Sequence, residues 1–215
     1  MSTKIGLISD IHATVKPVIE AFSIFKEKDV DQILCAGDIA GYGEELDETI
    51  DLLIASNCIA IQGNHEVWYL EKIVNRAIDK ACRYFEYLAY FEKLNVEDKS
   101  LYMVHANPPE DYMGGIRLLD EDGQIIENQI NEWQKELEHY PYDVLIVGHT
   151  HQVYSQVINN TLVINPGSSK FNHSCAILTL PEMTIEWIPL SGKPIKKTWN
   201  WGAHMSKIRE ENNNA

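Results

Sequence analysis

The chain has 215 residues, 45% of them hydrophobic, with a net charge of −14 and a pI near 4.9. This length suits one domain with a substantial core, and the anionic balance argues against a nucleic-acid partner held by backbone phosphates, which needs a basic footprint. No apolar run approaches a membrane span, the residues between Lys4 and Ser9 are too few for a secretory core, and four scattered cysteines without a C-x-x-C pair read as reduced thiols of a cytoplasmic protein.

In chain order, the apolar run from Ile5 to Ile8 ends in Asp10-Ile11-His12, after which Val15, Val18, Ile19, Phe22 and Phe25 fall at helical spacing. Ile33 and Leu34 precede Gly37-Asp38, and Leu46, Ile50, Leu53 and Ile54 again mark a helix. The run from Ile59 to Ile61 leads into Gly63-Asn64-His65-Glu66 and the longest helical pattern, through Leu70, Ile73, Val74, Ala77, Ile78, Ala81, Phe85 and Leu88. These βα units predict a parallel sheet. The run from Leu101 to Val104 ends in His105, and a Pro/Gly-containing loop from Asn107 to Gly123 follows. Ile126, Ile130, Trp133 and Leu137 predict a helix ended by Pro141, before the run from Val144 to Val147 and Gly148-His149-Thr150-His151. The last third predicts two hairpins, turning at Asn159-Asn160 and Pro181-Glu182, in a second sheet packed on the first. Beyond about Ser191 the chain reads as a polar tail.

The five polar clusters each follow a strand-like run, which delivers carboxylate, imidazole and amide groups to one end of a sheet, as a polynuclear metal site requires. The spacing in Asp10-x-His12 and His149-x-His151 puts both side chains on one side of an extended chain. The glycines Gly37, Gly41 and Gly43 let the backbone pass close to whatever Asp38 binds. A lone histidine at a strand end is usually a satisfied polar residue. Here, however, five of the eight histidines (His12, His65, His105, His149 and His151) fall in the clusters, while His139, His173 and His204 do not.

The ordered set D-x-H, G-D-x-x-G, G-N-H-E, H and G-H-T-H, from Asp10 to His151, resembles the calcineurin-like metallophosphoesterase superfamily, and in size the chain is similar to its small bacterial and archaeal phosphodiesterases. The resemblance implies an α/β fold of two face-to-face mixed β-sheets flanked by helices, a four-layer α/β/β/α sandwich, as a single domain over residues 1–215 with a tail frayed from about 205. It implies one divalent metal on Asp10, His12, Asp38 and His151 and a second on Asp38, Asn64, His105 and His149, with Asp38 bridging. The expected ions are manganese first, then iron, zinc or nickel. Such a pair activates a water for attack on phosphorus. His65 is implied to contact the phosphate, with Glu66 either orienting it or serving only as a carboxylate at a helix N-terminus. Asn165-Pro166-Gly167-Ser168 is similar to the family's chain reversal beside the site.

The expected activity is hydrolysis of a small phosphodiester. Dinucleoside polyphosphate and phosphomonoester hydrolysis are the enzymatic alternatives, and a metal-binding interaction scaffold is the non-enzymatic one. Trp68, Tyr69, Tyr42 and Tyr112 are candidates to stack a base, and Arg117 to steady a phosphate, against the plainer reading of packing and surface residues. The aromatic surplus at Tyr84, Tyr87, Tyr90 and Phe91 allows a homodimer contact, with internal packing as the plainer explanation.

Overall fold

The structure, a computed structural model, describes residues 2–200, 202 and 204. Along the chain it comprises β1 (Thr3–Ile8), α1 (Val15–Glu27), β2 (Gln32–Cys35), α2 (Leu46–Ala55), β3 (Ile59–Ala60), α3 (Asn64–Lys72), α4 (Lys80–Phe85), β4 (Phe91–Val96), β5 (Lys99–Val104), α5 (Glu127–Glu136), β6 (Val144–Ile146), β7 (Val153–Ile158), β8 (Thr161–Pro166), β9 (Ser174–Leu180) and β10 (Thr184–Pro189). They form two five-stranded sheets, ordered β10-β9-β1-β2-β3 and β4-β5-β6-β8-β7. Both sheets are mixed. β1, β2 and β3 run parallel in the first and β5, β6 and β8 in the second, with antiparallel partners outside them.

The central strands are apolar on both faces because both faces are covered, whereas β4, β7 and β10 at the edges alternate with exposed residues. Ile5, Leu7, Leu34, Leu101, Met103, Val144, Ile146, Ile164 and Leu178 meet between the sheets. Alternate residues of the same strands turn outward. Ile8, Cys35 and Ile177 pack under the α1 and α2 residues Val18, Ala21, Phe25, Ile50 and Leu53, while Tyr102, Val104, Leu145 and Val147 pack under Ile130 of α5 and under Ile116, Leu118 and Leu119 of the preceding loop. Each fully buried Leu, Ile or Phe contributes about 1.5–3 kcal/mol to this layering. The four-layer arrangement expected from the resemblance is present. No helix among the described residues is long and apolar enough to cross a membrane, and Cys35, Cys58, Cys82 and Cys175 are all free thiols.

Some of these expectations need correction. The long helix from Leu70 to Leu88 is two helices: the Asp79 carboxylate accepts from Cys82 N at 2.7 Å and caps a new start, leaving Val74 and Ile78 solvent-exposed between them. Phe91 is not helical surplus but opens β4, paired with β5 across a turn at Glu97 and Asp98, both with positive φ. The two predicted hairpins do not make one sheet, since β7 and β8 extend the second sheet while β9 and β10 extend the first beside β1. The described part of the tail, which the sequence characterised only as polar, is held to the body: Val153 N donates to Lys197 O at 2.8 Å and Trp199 N to His151 O at 3.1 Å. The expected fraying from about 205 lies outside the described residues.

Of the aromatic surplus, Phe91 stacks on Tyr102, Tyr90 stacks on Tyr112 and Tyr84 packs against the outer core of the first sheet. Only Tyr87 of that group stays almost fully exposed. Internal packing thus accounts for three of the four. The helix predicted up to Pro141 ends earlier, at Glu136.

Candidate metal centre

Every polar cluster leaves the carboxyl end of a parallel strand, the edge at which open α/β sheets place their ligands. β1 delivers Asp10 and His12, β2 Asp38, β3 Asn64 and His65, β5 His105, and β6 His149 and His151. The delivery is not by extended chain, as the two-residue spacing suggested. Asp10 (φ 49°), His12 (51°), Asp38 (53°), His149 (64°) and His151 (48°) are all left-handed. Such conformations cost non-glycine residues about 1–3 kcal/mol each and persist only where the surroundings over-determine them. Here Asp10 N donates to Gly37 O and His12 N to Asp38 O, both at 3.0 Å, and Gly148 N donates to His105 O at 2.8 Å, so each loop braces the next.

The side chains gather into two groups. In the first, His151 Nε2 lies 3.2 Å from Asp10 Oδ1 and 3.0 Å from His12 Nε2. In the second, His105 Nε2 lies 3.2 Å from Asp38 Oδ1 and 3.1 Å from Asn64 Oδ1, and His149 Nδ1 lies 2.8 Å from the same amide oxygen. His149 and His151, two residues apart, therefore serve different groups. Asp38 belongs with His105 and His149 and also lies within ligand range of His12 and His65. All seven predicted ligand residues thus come together, with His65 beside them.

The donors fit divalent cations. His105 Nδ1 is 2.6 Å from Ala36 O and His12 Nδ1 is 3.1 Å from Ala40 O. A carbonyl accepts only, so each Nδ1 carries a proton and each Nε2 is the ring atom aimed at the other donors, the orientation characteristic of ligating histidines. His12 Nε2 then faces His151 Nε2 with the Asp10 carboxylate alongside, three converging atoms of the kinds that ligate a divalent cation. Oxygen and imidazole together suit manganese, iron, zinc or nickel.

Electrostatics bear on the same groups. Burial pushes the His12 imidazole down to about 3, and it lowers His65 and His149 as well. Burial also opposes charge on Asp10, Asp38 and His105. The contact with His151 nonetheless holds Asp10 below its ordinary value, and mutual attraction lowers Asp38 while raising His105.

The support around the ligands is equally specific. Glu66, fully buried, does not touch His65 through any hydrogen bond. Its carboxylate accepts from Asp38 N at 2.9 Å, Ala40 N at 2.7 Å and Gly63 N at 2.7 Å, tying the Asp38 loop to the start of α3. Of the two roles weighed for it, the helix-terminal one is the one seen. Burial beside Asp38 raises its pKa to about 7, against those donors. Ser9 Oγ donates to Asp10 Oδ2 and Ser168 Oγ to Asp10 O, both at 2.6 Å, so the turn after Asn165 does lie against the site. At Gly41 (φ 118°) a Cβ atom would stand 2.6 Å from His65 Nδ1 and 2.8 Å from His12 Nδ1, and at Gly37 (φ 92°) 2.7 Å from His105 Nδ1. Only glycine admits these rings.

Asp38, Asn64, His65, His149 and His151 open on a cavity of about 240 Å³ whose rim includes Tyr42, Trp68, Arg117 and Trp199. Tyr42 and Trp68 are therefore at the mouth as predicted. Tyr69 is not, because it donates to Asp79 and packs on Phe85, and Tyr112 is stacked on Tyr90. Trp199 and Phe171, stacked at 4.0 Å against His151, escaped the sequence reading. The signal for Trp199 was a pair of tryptophans, Trp199 and Trp201, in a mostly polar stretch.

A family model for the calcineurin-like phosphoesterase superfamily domain matches residues 3–182. The chain belongs to this superfamily. It is 24% identical over 186 residues to an uncharacterised protein of Methanocaldococcus jannaschii, covering 78% of this chain and 70% of that one. It is also 24% identical over 166 residues to a phosphodiesterase of the same archaeon, covering 76% of this chain and 82% of that one. The solved metallophosphoesterase of Sphaerobacter thermophilus shares the fold, with a TM-score of 0.65 at 18% identity over 98% of this chain and 95% of that one. As a calcineurin-like phosphoesterase, the protein is a phosphoester hydrolase with histidine and aspartate clusters suited to divalent metals.

Proposed function

We propose that this phosphoesterase is a dinuclear-metal phosphodiesterase acting on a small diester in the cytoplasm. In this reading Asp10, His12, Asp38 and His151 hold one cation and Asp38, Asn64, His105 and His149 the other, with manganese the first choice of ion. The observation that carries it is the position of Asp38 between both imidazole groups, in ligand range of His12 on one side and of His105 and His149 on the other. The archaeal phosphodiesterase relative supports the diester, and the free cysteines are consistent with a reducing compartment.

When bound, the cations supply Lewis acidity toward the phosphoryl group and a water of low pKa. The chain's own residues do the rest. Asp38, Asn64 and the histidines fix the cavity floor against which the phosphoryl group is oriented. His65, next to ligand Asn64 and on the cavity wall, either gives a proton to the departing oxygen or stabilises its charge as water oxygen bonds to phosphorus and the P–O bond to the leaving alcohol breaks, yielding an alcohol and a monoester. His65 N donates to Asp38 Oδ1 at 3.0 Å, which fixes where that ring stands relative to the bridging carboxylate.

The test is turnover of metal-defined protein on aryl diesters, aryl monoesters and dinucleoside polyphosphates. Diester preference with two cations per chain is expected. Preference for a monoester or polyphosphate would overturn the substrate class, and bound metal with no turnover of any ester would favour an interaction scaffold.

A further inference from the structure

Beside the metal pocket lies a second cavity of about 580 Å³, more than twice its size, and the two share Arg117, Thr150, Trp199 and Asn200 in their walls. The small pocket has room for a phosphoryl group and little more, whereas the larger one is in the range that receives a drug-sized group. We propose that this second cavity is a specificity subsite that receives a neutral, planar substituent of the phosphodiester, of nucleoside type, with Arg117 at the threshold steadying the phosphoryl charge.

Its walls are built onto the loop after β6, which carries His149 and His151. Gln152, directly after His151, accepts from Leu118 N at 2.8 Å and Leu119 N at 3.0 Å and donates to Leu119 O at 2.6 Å, which fixes the Arg117 wall. On the other side Gln152 pairs with Thr198, Trp199 N bonds to His151 O, and Thr198 Oγ1 donates to Glu121 O at 2.9 Å, closing the two walls on each other. The cavity is thus held in fixed register with the pocket. Lys196 and Trp199 lie beyond residue 182, where the family match ends, so this wall stands outside the motif set that runs from Asp10 to His151.

Charge selects the occupant. Arg117 and Lys196 are balanced in the lining by Asp120 and Glu121, which leaves no excess of positive charge for further phosphates, while Leu119, Ile126 and Trp199 provide an apolar floor and an aromatic edge. A nucleoside fits that lining, whereas a polyphosphate tail does not.

This subsite rests on the diesterase reading, so the experiment separates them. Thymidine 5′-(p-nitrophenyl phosphate) and methyl p-nitrophenyl phosphate release the same phenolate and differ only in the retained group. Wild-type protein is expected to prefer the nucleotide ester by tenfold or more in kcat/KM. Ile126→Trp, which fills the cavity away from the metal ligands, is expected to cut that ratio at least tenfold through KM. Calorimetric binding of thymidine 5′-monophosphate against inorganic phosphate gives a readout apart from turnover, and the nucleotide's advantage is expected to vanish in Ile126→Trp.

A wild-type ratio near one, a ratio or a binding advantage that Ile126→Trp leaves unchanged, or a preference for a dinucleoside polyphosphate over both esters, would each overturn the subsite. Failure to hydrolyse any ester would sink the diesterase reading instead. The binding arm would still decide whether the cavity takes a nucleoside.

Discussion

The metal pocket and the cavity beside it are built to different standards. In the pocket, Asp10, His12 and His105 are wholly buried, their backbones or rings are anchored by neighbouring loops, and glycines are required where rings pass. In the cavity, the charged groups Arg117, Asp120 and Lys196 are exposed, and the walls are tied down chiefly through Gln152 and the segment before Trp199. Over-determination belongs where ångström-scale placement sets the rate, and more exposed walls belong where one substrate is told from another.

The contrast can be broken at several points, the largest effect first. Asp38→Asn keeps the shape but removes the shared charge, so turnover is expected to fall by several kcal/mol of transition-state stabilisation, about 10³-fold or more. Metal analysis and turnover together check this, and full activity with two ions would remove Asp38 from the bridging role. His65→Ala is expected to lose about 10²-fold in kcat, at the low end for a proton-transfer group, with metal content unchanged. Parallel loss of metal would make His65 a ligand instead. Gly41→Ala forces the His12 and His65 rings apart and is expected to weaken metal binding by about 10–100-fold, measured by competition with a chelator.

On the cavity side, Gln152→Ala strands the buried Leu118 and Leu119 N–H groups. It is expected to cost about 1–3 kcal/mol in denaturant unfolding while metal stoichiometry holds. Loss of metal without loss of stability would mean that the two regions are not separable in this way.

The smallest expected effect is in pH. In metal-free protein His12, His65 and His149 have pKa values below the ordinary 6.5, so the unfolded chain takes up protons there and stability falls as pH drops below about 6.5. His105 is raised, so its contribution is present below 6.5 and is lost as pH rises through its higher folded value. Melting temperature is therefore expected to peak near pH 6.5 without metal. If they hold metal as proposed, the imidazoles stay neutral, and the alkaline decline due to His105 should disappear. A flat profile in both forms would show that these histidines are not coupled to folding.

Much of the pocket was legible because its donors follow apolar runs at strand ends, and strands shift side chains little in sequence terms. Asp10, His12, Asp38, Asn64, His105, His149 and His151 all meet where the motifs implied. What misled was local geometry: the Asp10-x-His12 spacing assumed extended chain, and the residues are left-handed. The helix expected over Leu70 to Leu88 failed because an apolar period cannot reveal that Asp79 restarts the chain. β4 was hidden because Phe91 also fitted the helical pattern before it.

By itself the sequence determined the family, the strand ends that carry the polar clusters and the apolar runs of the central strands, since these depend on residue type and short-range spacing. Only the tertiary structure decided which donors share a group, that Glu66 serves the backbone rather than His65, and that residues 196–200 wall a cavity. Those outcomes depend on contacts between segments far apart in the chain, such as Asp10 with His151 and Gln152 with Thr198, and no local pattern encodes them.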